Sequence, residues 1–228
     1  SEPIGLEPGA LYRLSFWARW EREGGGGCVV AGLTAQVGSD GETVELNVNR
    51  DFSVESDGCR RSFIFLVPPK LEKGAIYLGQ WHIRGKVCFD DVSLERVEPV
   101  HLEADGRRLG AEEAISDGVY RFMSAWNALW SNYSPALIDF TSGFNTNRWT
   151  LSEGRYIVYR HSPGRPQASA TVRVTLYWYQ NGSLIVEASR DGREWSKAGE
   201  LQGNGEHEVE LPEELFPADE IFVRLRER

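Results

Sequence analysis

Short runs of alternating apolar and polar residues constrain this chain more than any other feature of its sequence. In "ALYRLSFWARW", Tyr12, Leu14, Phe16 and Ala18 recur at every second position. Successive side chains of a strand point to opposite faces of a sheet, so this spacing predicts a strand with one buried face. Similar runs continue along the chain, and long helical periodicity is nearly absent. They predict an all-β fold of two tandem antiparallel β-sandwiches.

The alternation breaks once, in the polar, charged and Gly-bearing segment "EPVHLEADGRRLGAEEA". A segment of this composition between two strand-rich regions is typical of a connection between domains. We therefore predict one sandwich over residues 1–98, a linker over residues 99–112 and a second sandwich over residues 113–228.

Two dipeptides of the second half favour tight turns between strands. Asn181-Gly182 and Asp191-Gly192 each lie between strand-like runs, which predicts two β-hairpins. Asn181 also begins an N-glycosylation sequon, as does Asn132. We expect Asn181 to be the more accessible of the two, because it lies at a predicted hairpin tip.

The charge balance limits the partners that this chain can take. Its 34 Asp and Glu residues outnumber its 25 Lys and Arg residues, for a formal net charge of −9 without a basic block. This argues against nucleic acid and anionic membranes as partners. No apolar run approaches the ~20 residues of a membrane-spanning helix. An acidic chain with 8 Trp and 8 Tyr suits a neutral ligand, sugars above all.

The three cysteines lie in the first half of the chain. Because their number is odd, at most one internal disulfide is predicted, and the spacing allows the pair Cys28–Cys59. The first residues are polar and contain Pro rather than an apolar signal, so we expect a processed chain or part of a longer one.

Three segments of the first half, "IGLEPGALYRLSFWARW", "SFIFLVPP" and "VCFDDVSLERV", follow one another in order. Together they resemble the second part of a carbohydrate-binding module of the family-four/nine/twenty-two type, over roughly residues 1–97. The resemblance implies a jelly-roll sandwich, a polysaccharide or glycan ligand, and a secreted or cell-surface setting beside glycan-active enzymes. In the second half, "LIVEASRDGREW" and "EIFVRLR" resemble a discoidin-like, galactose-binding sandwich.

The opening strands of that module type, with an "N-G-x-F-E" element, have no counterpart in this sequence. A sandwich without its first strands would leave unpaired edges and an uncovered core face in water. We therefore predict that another polypeptide supplies the missing strands, either a cleavage product or a neighbouring subunit.

Two adjacent carboxylates, Asp90 and Asp91, lie inside the strand-like run "KVCFDDVSLERV". Because strand neighbours face opposite sides, one of them is expected to point toward an interior. The resemblance implies that this strand helps to hold a structural calcium ion, which takes about six to eight oxygen ligands. From the residues alone, one carboxylate could instead cap backbone amides while the other faces water. A catalytic pair needs carboxyl groups about 5–10 Å apart across a sugar, which adjacent strand residues do not provide.

Aromatic residues among polar neighbours are the candidate ligand contacts of the first half. Trp17 lies with polar residues on the second face of its strand, where it either stacks on a sugar or packs against another element. In "LGQWHIR", Gln80, Trp81 and Arg84 combine a stacking surface with hydrogen-bond donors and acceptors at a predicted strand end. Packing at the rim of the sandwich is the alternative for these three residues.

The densest aromatic cluster of the second half is "SAWNALWSNYS". It interrupts the strand pattern, and loops commonly carry binding residues, so Trp126, Trp130 and Tyr133 are candidate ligand contacts. Because Trp126 and Trp130 are four positions apart, they would equally share one face of a helical turn that packs on the core.

No nucleophile elbow, P-loop, dinucleotide fingerprint or zinc motif occurs, and the four histidines are scattered. We therefore predict a protein that is not an enzyme. The leading hypothesis is a pair of non-catalytic carbohydrate-binding or adhesion modules of a larger secreted or cell-surface protein. The alternative is a structural subunit or spacer of an extracellular assembly, to which a partner chain adds a strand.

Overall fold

The fold comes from a computed structural model, which describes residues 5–24, 26–39, 41–53, 57–100, 102–104, 107–110, 112–124 and 130–228. Among these residues every regular element is a strand, apart from one 3-10 turn at Glu213–Leu215. The chain is all-β and built of sandwiched sheets, which confirms the predicted fold class. Within the same described ranges, no helix has the length and apolar character that a membrane crossing requires.

Six long strands form the first half of the chain. Their bounds are β1 (Leu11–Arg22), β2 (Cys28–Ser39), β3 (Glu42–Phe52), β4 (Cys59–Leu66), β5 (Leu71–Trp81) and β6 (Gly85–Val97). In one antiparallel sheet β1 lies between β4 and β6, and in another sheet β2 lies between β3 and β5. The two sheets share one hydrophobic core.

Strand β1 shows why these sequences form strands in water. Tyr12, Leu14, Phe16 and Ala18 are all buried in the core, whereas Trp17 on the other face is exposed. Full burial of a side chain such as Leu or Phe contributes about 1.5–3 kcal/mol. The predicted alternation of β1 is confirmed, and this alternation decides which residues remain outside to contact a ligand.

In the described residues after β6 there are thirteen shorter strands. Their bounds are β7 (Leu102–Ala104), β8 (Arg107–Leu109), β9 (Glu113–Ser116), β10 (Val119–Phe122), β11 (Leu137–Phe140), β12 (Gly143–Asn145), β13 (Arg148–Thr150), β14 (Tyr156–His161), β15 (Thr171–Leu176), β16 (Leu184–Ser189), β17 (Ser196–Leu201), β18 (Gly205–Glu210) and β19 (Ile221–Glu227). A five-stranded sheet has the order β11-β14-β19-β16-β17, and β15 pairs with β18. A second hydrophobic cluster combines residues of β16 and β19 with residues of β15 and β18.

Strands β12 and β13 do not join the sheet of the second half. They extend the first-half sheet, whose full order is β13-β12-β3-β2-β5. The pairing of β12 with β3 is parallel, with Phe144 beside Val48 and Asn145 beside Asn49. The backbone N–H of Thr146 continues it, donating to the carbonyl of Asn49 at 2.8 Å. The edge of β3 is therefore paired by a later part of the same chain.

The first hydrophobic core also contains residues from the far side of the predicted linker. Phe140, Phe144 and Ile157 belong to the same buried cluster as the inward residues of β1, β2 and β3. The boundaries at residues 98 and 112 and the strands from another polypeptide stay predictions. In the described part of the chain, β4 and β6 each pair with β1 on one side only.

Asn132, in the second half of the chain, forms hydrogen bonds through its side chain with the backbone at the end of β4. Its side chain is 1 % exposed, its Oδ1 accepts the backbone N–H of Leu66 at 2.9 Å, and its Nδ2 donates to the Leu66 carbonyl at 3.1 Å. The amide thus satisfies both backbone groups of a buried residue, as a neighbouring strand would. Asn181, in contrast, is exposed, so the expected order of accessibility of the two sequons is confirmed.

One of the two predicted hairpins is present. β16 and β17 pair across the Asp191-Gly192 turn, where Asp191 Oδ1 accepts two backbone N–H groups at 2.8 and 3.0 Å. The hairpin at Asn181-Gly182 is wrong, because β15 pairs with β18 while β16 pairs with β17 and β19. All six residues of β16 are buried, which places β16 inside the larger sheet and leaves residues 177–183 to cross between sheets.

The three cysteines are free thiols, so the predicted disulfide between Cys28 and Cys59 is wrong. Cys28 begins β2 beside Trp81, whereas Cys59 begins β4 beside Ala18 in the other sheet. Spacing along the chain permitted the bond, but the two residues belong to different sheets.

A buried carboxylate connects β16 with β19. Glu187 accepts hydrogen bonds from Arg224 at 2.6 Å and from Arg226 at 3.4 Å, and the Arg224 guanidinium also lies over the Trp195 ring at 4.2 Å. Burial alone would raise the pKa of Glu187, but the hydrogen bonds and charges of the two arginines outweigh it and hold the pKa below its ordinary value. Breaking such a buried pair by removing its charge on one side is costly.

We expect Asn132→Ala to lower the free energy of unfolding by about 2–4 kcal/mol, because two buried backbone groups lose their partners. Chemical denaturation measures the change. Asn181→Ala is the matched control, an exposed amide whose loss should change stability by less than about 0.5 kcal/mol. Equal effects of the two substitutions would contradict the role given to Asn132.

We expect the free energy of unfolding to fall with the pH below about 4.5, because protonation of Glu187 breaks its pairs with the two arginines. A carboxylate whose folded-state pKa is lowered stabilises the protein above its unfolded-state pKa, and this stabilisation is lost in acid. Glu187→Gln should flatten the acid limb of a pH series of denaturation curves, whereas Gln in place of the exposed Glu153 should not. An unchanged acid limb in Glu187→Gln would contradict this assignment.

Candidate functional site

The sheet ordered β5-β2-β3-β12-β13 has one face on the core and one outer face. Cross-strand neighbours share a face, so the register places the outward side chains in rows that cross the strands. From β5 to β13, the first row consists of Tyr77, Gly32, Asn49, Asn145 and Arg148. Strands of both halves of the chain therefore contribute to a single row.

The second row has mostly shorter side chains than the first. It consists of Ala75, Thr34, Asn47, Gly143 and Thr150. A third row adds Lys73, Gln36 and Glu45 on the far side. Most side chains of the second row are shorter than those of its neighbours, and the outer face formed by these rows crosses all five strands, with the third row on β5, β2 and β3. We call this surface the trough.

A cavity of about 330 Å³ opens in the trough where β3, β12 and β13 meet. Asn47, Asn49 and Asn145 contribute amide groups to its lining, and Glu45 and Arg155 contribute one charge of each sign. The lining is therefore polar and nearly balanced in charge, which suits a ligand that offers many hydrogen bonds and little charge.

Gly32 is required by the close approach of the β3 backbone. It lies on β2 between Asn49 of β3 and Tyr77 of β5. A Cβ atom at Gly32 would lie 2.3 Å from the carbonyl oxygen of Val48 and 2.8 Å from Cβ of Asn49. Burial raises the pKa of Tyr77 to about 12, so its hydroxyl stays protonated at neutral pH.

Neighbouring hydroxyls orient two of the amides. Thr34 Oγ1 donates to Asn47 Oδ1 at 2.8 Å, and Thr146 Oγ1 donates to Asn145 Oδ1 at 2.6 Å. Since each amide carries its two donors on the nitrogen, both amides keep N–H groups for other partners. Thr146 itself is fixed by its oxygen, which accepts the backbone N–H of Asp51 at 3.0 Å.

The predicted residues near the end of β5 lie at one corner of this face. Trp81 points to the same side as Tyr77, two rows away, and is 63 % exposed. Gln80 Oε1 accepts the backbone N–H of Ile83 at 2.9 Å, so its side chain holds the turn. The backbone carbonyl of Arg84 accepts the indole N–H of Trp20 at 3.0 Å, while the Arg84 side chain is exposed.

The predicted residue Trp17 lies on the other sheet. It is 42 % exposed on the outer face of β1, beside Arg60 of β4 and Asp90 of β6. The structure therefore does not bring Trp17 together with Trp81 or with the trough. Its role in ligand binding stays a prediction.

The predicted cluster of the second half is described only in part. Trp126 lies outside the described residues. Trp130 is exposed, has a positive φ of 53°, and lies under the Arg50 guanidinium at 5.1 Å. Tyr133 is half-buried against the first-half core, and burial raises its pKa to about 12. The roles of Trp126, Trp130 and Tyr133 in binding stay predictions.

Asp90 and Asp91 are both exposed, so the expectation that one points to an interior is wrong. Ser15 pairs with Ser93 and Trp17 with Asp90, so β6 carries one extra residue at this point. This β-bulge, with Asp91 at a φ of 48°, turns both carboxylates outward. Asp90 Oδ1 accepts the backbone N–H of Asp91 at 2.8 Å, which is the capping role considered from the sequence.

A calcium site at Asp90 and Asp91 stays a prediction. Calcium takes about six to eight oxygen ligands. Among the described residues, no group of three or more His, Cys, Asp and Glu side chains is placed to hold a metal ion. The described part of the chain thus falls short of the ligand set that the resemblance implies.

The amides of the trough were not predicted from the sequence. In "LNVNRDF", Asn47 and Asn49 alternate with Leu46 and Val48, and asparagine is depleted in strands. Two asparagines on the outward face of one strand were the signal that could have marked this surface. Asn145 had no such signal, because its place beside Asn49 depends on a pairing between residues far apart in sequence.

Comparison with protein-family models and with curated proteins finds no match. Among solved structures, the chain is similar to the N-terminal CBM22-1-CBM22-2 tandem domain of Paenibacillus barcinonensis Xyn10C. That alignment covers 98 % of this chain and 72 % of the other, with 13 % sequence identity and a TM-score of 0.36.

We expect Gly32→Ala to destabilise the protein by about 1–3 kcal/mol, because the added methyl group overlaps the backbone and side chain of β3. Chemical denaturation tests this, with Gly79→Ala as the control. Gly79 lies on the same outer face, but an added Cβ would come no closer than 3.9 Å to its nearest neighbour. If both variants are as stable as the wild type, the close approach of β3 does not require glycine at position 32.

Proposed function

We propose that this chain is a non-catalytic carbohydrate-binding protein and that a polysaccharide chain lies in the trough. The observation that carries the proposal is the group of three amides that line one cavity, Asn49 and Asn145 of the first row and Asn47 of the second. This arrangement joins both halves of the chain in a single surface.

The chemistry of the trough matches sugar hydroxyls. Each hydroxyl of a sugar both donates and accepts, and each asparagine amide offers donors and an acceptor in one plane. Thr34 and Tyr77 add hydroxyls that also do both. A neutral ligand with many hydroxyls satisfies these groups without the cost of burying a charge.

The length of the trough fits a chain better than a single sugar. It crosses five strands, and neighbouring strands lie about 4.8 Å apart, so its four intervals span about 19 Å. A trough that crosses a whole sheet admits a polymer along its length, in contrast to an enclosed pocket for one ring.

The carboxylates do not support hydrolysis of the bound sugar. Glycoside hydrolysis uses two carboxyl groups about 5–10 Å apart on either side of the bond. Among the described residues that line the cavity, Glu45 is the single carboxylate. Asp90 and Asp91 are neighbours on a different sheet. This arrangement supports the proposal of binding without turnover.

A polymer-binding surface without catalysis is useful beside an enzyme or at a cell surface. We therefore propose that the chain acts outside the cell as part of a larger glycan-active protein. The proposals of a structural subunit and of a strand from a partner chain concern β4 and β6, not the trough.

We expect the chain to be retarded in affinity electrophoresis by at least one neutral polysaccharide of a panel containing arabinoxylan, mixed-linkage β-glucan, xyloglucan and galactomannan. Asn47→Ala and Asn145→Ala should each weaken binding about tenfold, because each loses hydrogen bonds to the ligand. Arg60→Ala, at an exposed residue of the other sheet, is the control and should bind like the wild type. Trp17→Ala tests separately whether the other sheet contacts the ligand.

No retardation of the folded wild type by any polysaccharide of the panel would overturn the proposed function. Binding that is lost in Trp17→Ala and kept in both asparagine variants would move the site to the other sheet.

A further inference from the structure

We propose that Trp178 is a stacking platform for a sugar ring at the β13 end of the trough. This inference rests on the proposed function and adds to it a residue of the second half, in the segment between β15 and β16. It extends the binding surface beyond β13 to a segment that is not part of the trough's sheet.

Trp178 exposes its ring to solvent, and hydrogen bonds hold the backbone next to it. Its side chain is 70 % exposed, and its backbone has a positive φ of 57°, which is unusual for a bulky residue. The next residue anchors the segment on both sides: the backbone N–H of Tyr179 donates to Asn204 Oδ1 at 2.7 Å, and its hydroxyl donates to the Gly182 carbonyl at 2.8 Å. The exposed Trp178 ring therefore follows directly on the backbone that the hydrogen bonds of half-buried Tyr179 hold.

Arg148 places the ring beside the trough. The Arg148 guanidinium lies over the Trp178 ring, 4.3 Å from its centroid, as a cation–π contact. Arg148 pairs with Asn145, so it is the last member of the first row, at the β13 edge. One face of the indole is thus covered by Arg148, and the ring lies where a polymer leaving the row of amides would pass.

A sugar ring is the occupant that this platform fits. The C–H face of a pyranose is apolar and flat, and it packs against an aromatic ring while its hydroxyls stay in water or bond to neighbouring polar groups. Trp178 and the exposed Tyr177 together offer at most about 300–500 Å². A stable protein–protein interface buries about 1,200–2,000 Å² in total, so two rings alone are too small for a protein partner.

The platform would act on long ligands more than on short ones. A short oligosaccharide that occupies the amides near Asn49 does not reach β13, whereas a longer one extends past Arg148 onto the indole. Trp178 therefore sets the number of sugar units that the surface holds.

The test uses the full chain with xylo-oligosaccharides and mixed-linkage gluco-oligosaccharides of increasing length, measured by isothermal titration calorimetry. Trp178→Ala should weaken binding of the longest oligosaccharides about tenfold and leave the shortest unchanged. Trp178→Phe, which keeps a smaller ring, should recover part of the loss. Tyr177→Ala removes the adjacent exposed ring and should bind like the wild type, and equal thermal midpoints of all variants exclude unfolding.

Two results overturn the inference while leaving the proposed function in place. The first is that Trp178→Ala binds oligosaccharides of every length as the wild type does. The second is that Tyr177→Ala loses as much affinity as Trp178→Ala, which would indicate a general disturbance of the segment. If the wild type binds neither these oligosaccharides nor any polysaccharide of the panel, the proposed function and the platform both fall.

Discussion

The three-residue strand β12, from the second half of the chain, pairs with β3 and so joins the sheet of the first half. Phe144 enters the core beside Val48 and is 2 % exposed, while Asn145 faces outward beside Asn49. The N–H of Thr146 adds a hydrogen bond of 2.8 Å to the Asn49 carbonyl. Burial of a phenylalanine contributes about 1.5–3 kcal/mol, and each backbone hydrogen bond about 0.5–1.5 kcal/mol. One strand thus stabilises the junction through its inward residue and builds the surface through its outward one.

The same alternation that forms the core determines the chemistry of the outer face. On β3, Leu46 and Val48 are buried, so Asn47 and Asn49 must point outward. Where the β3 backbone approaches β2 closely, β2 carries Gly32. The resulting trough is polar and carries charges of both signs, which suits a neutral polymer. The same strand register therefore determines which side chains form the core and which remain outside to bind a ligand.

Period-two patterning predicted the strands well, because burial of one face is a local property of a sequence. The long strand β1 and the turn at Asp191-Gly192 depend on such local rules. The bulge at Asp91, the clamp of Asn132 on β4 and the place of Asn145 beside β3 depend on residues far away in sequence, which no local pattern encodes. The hairpin at residues 181–182 was wrong for the same reason: a favourable turn does not decide which strand is the partner.

Native-state hydrogen exchange of the Thr146 amide tests the shared sheet most directly. If β12 is part of the first-half sheet, this N–H, which donates to Asn49, exchanges as slowly as the paired amides of β2 and β3 and opens together with them. Exchange of Thr146 at the rate of an exposed loop, while β2 and β3 stay protected, would contradict the account, because the trough would then lack its β12 and β13 side.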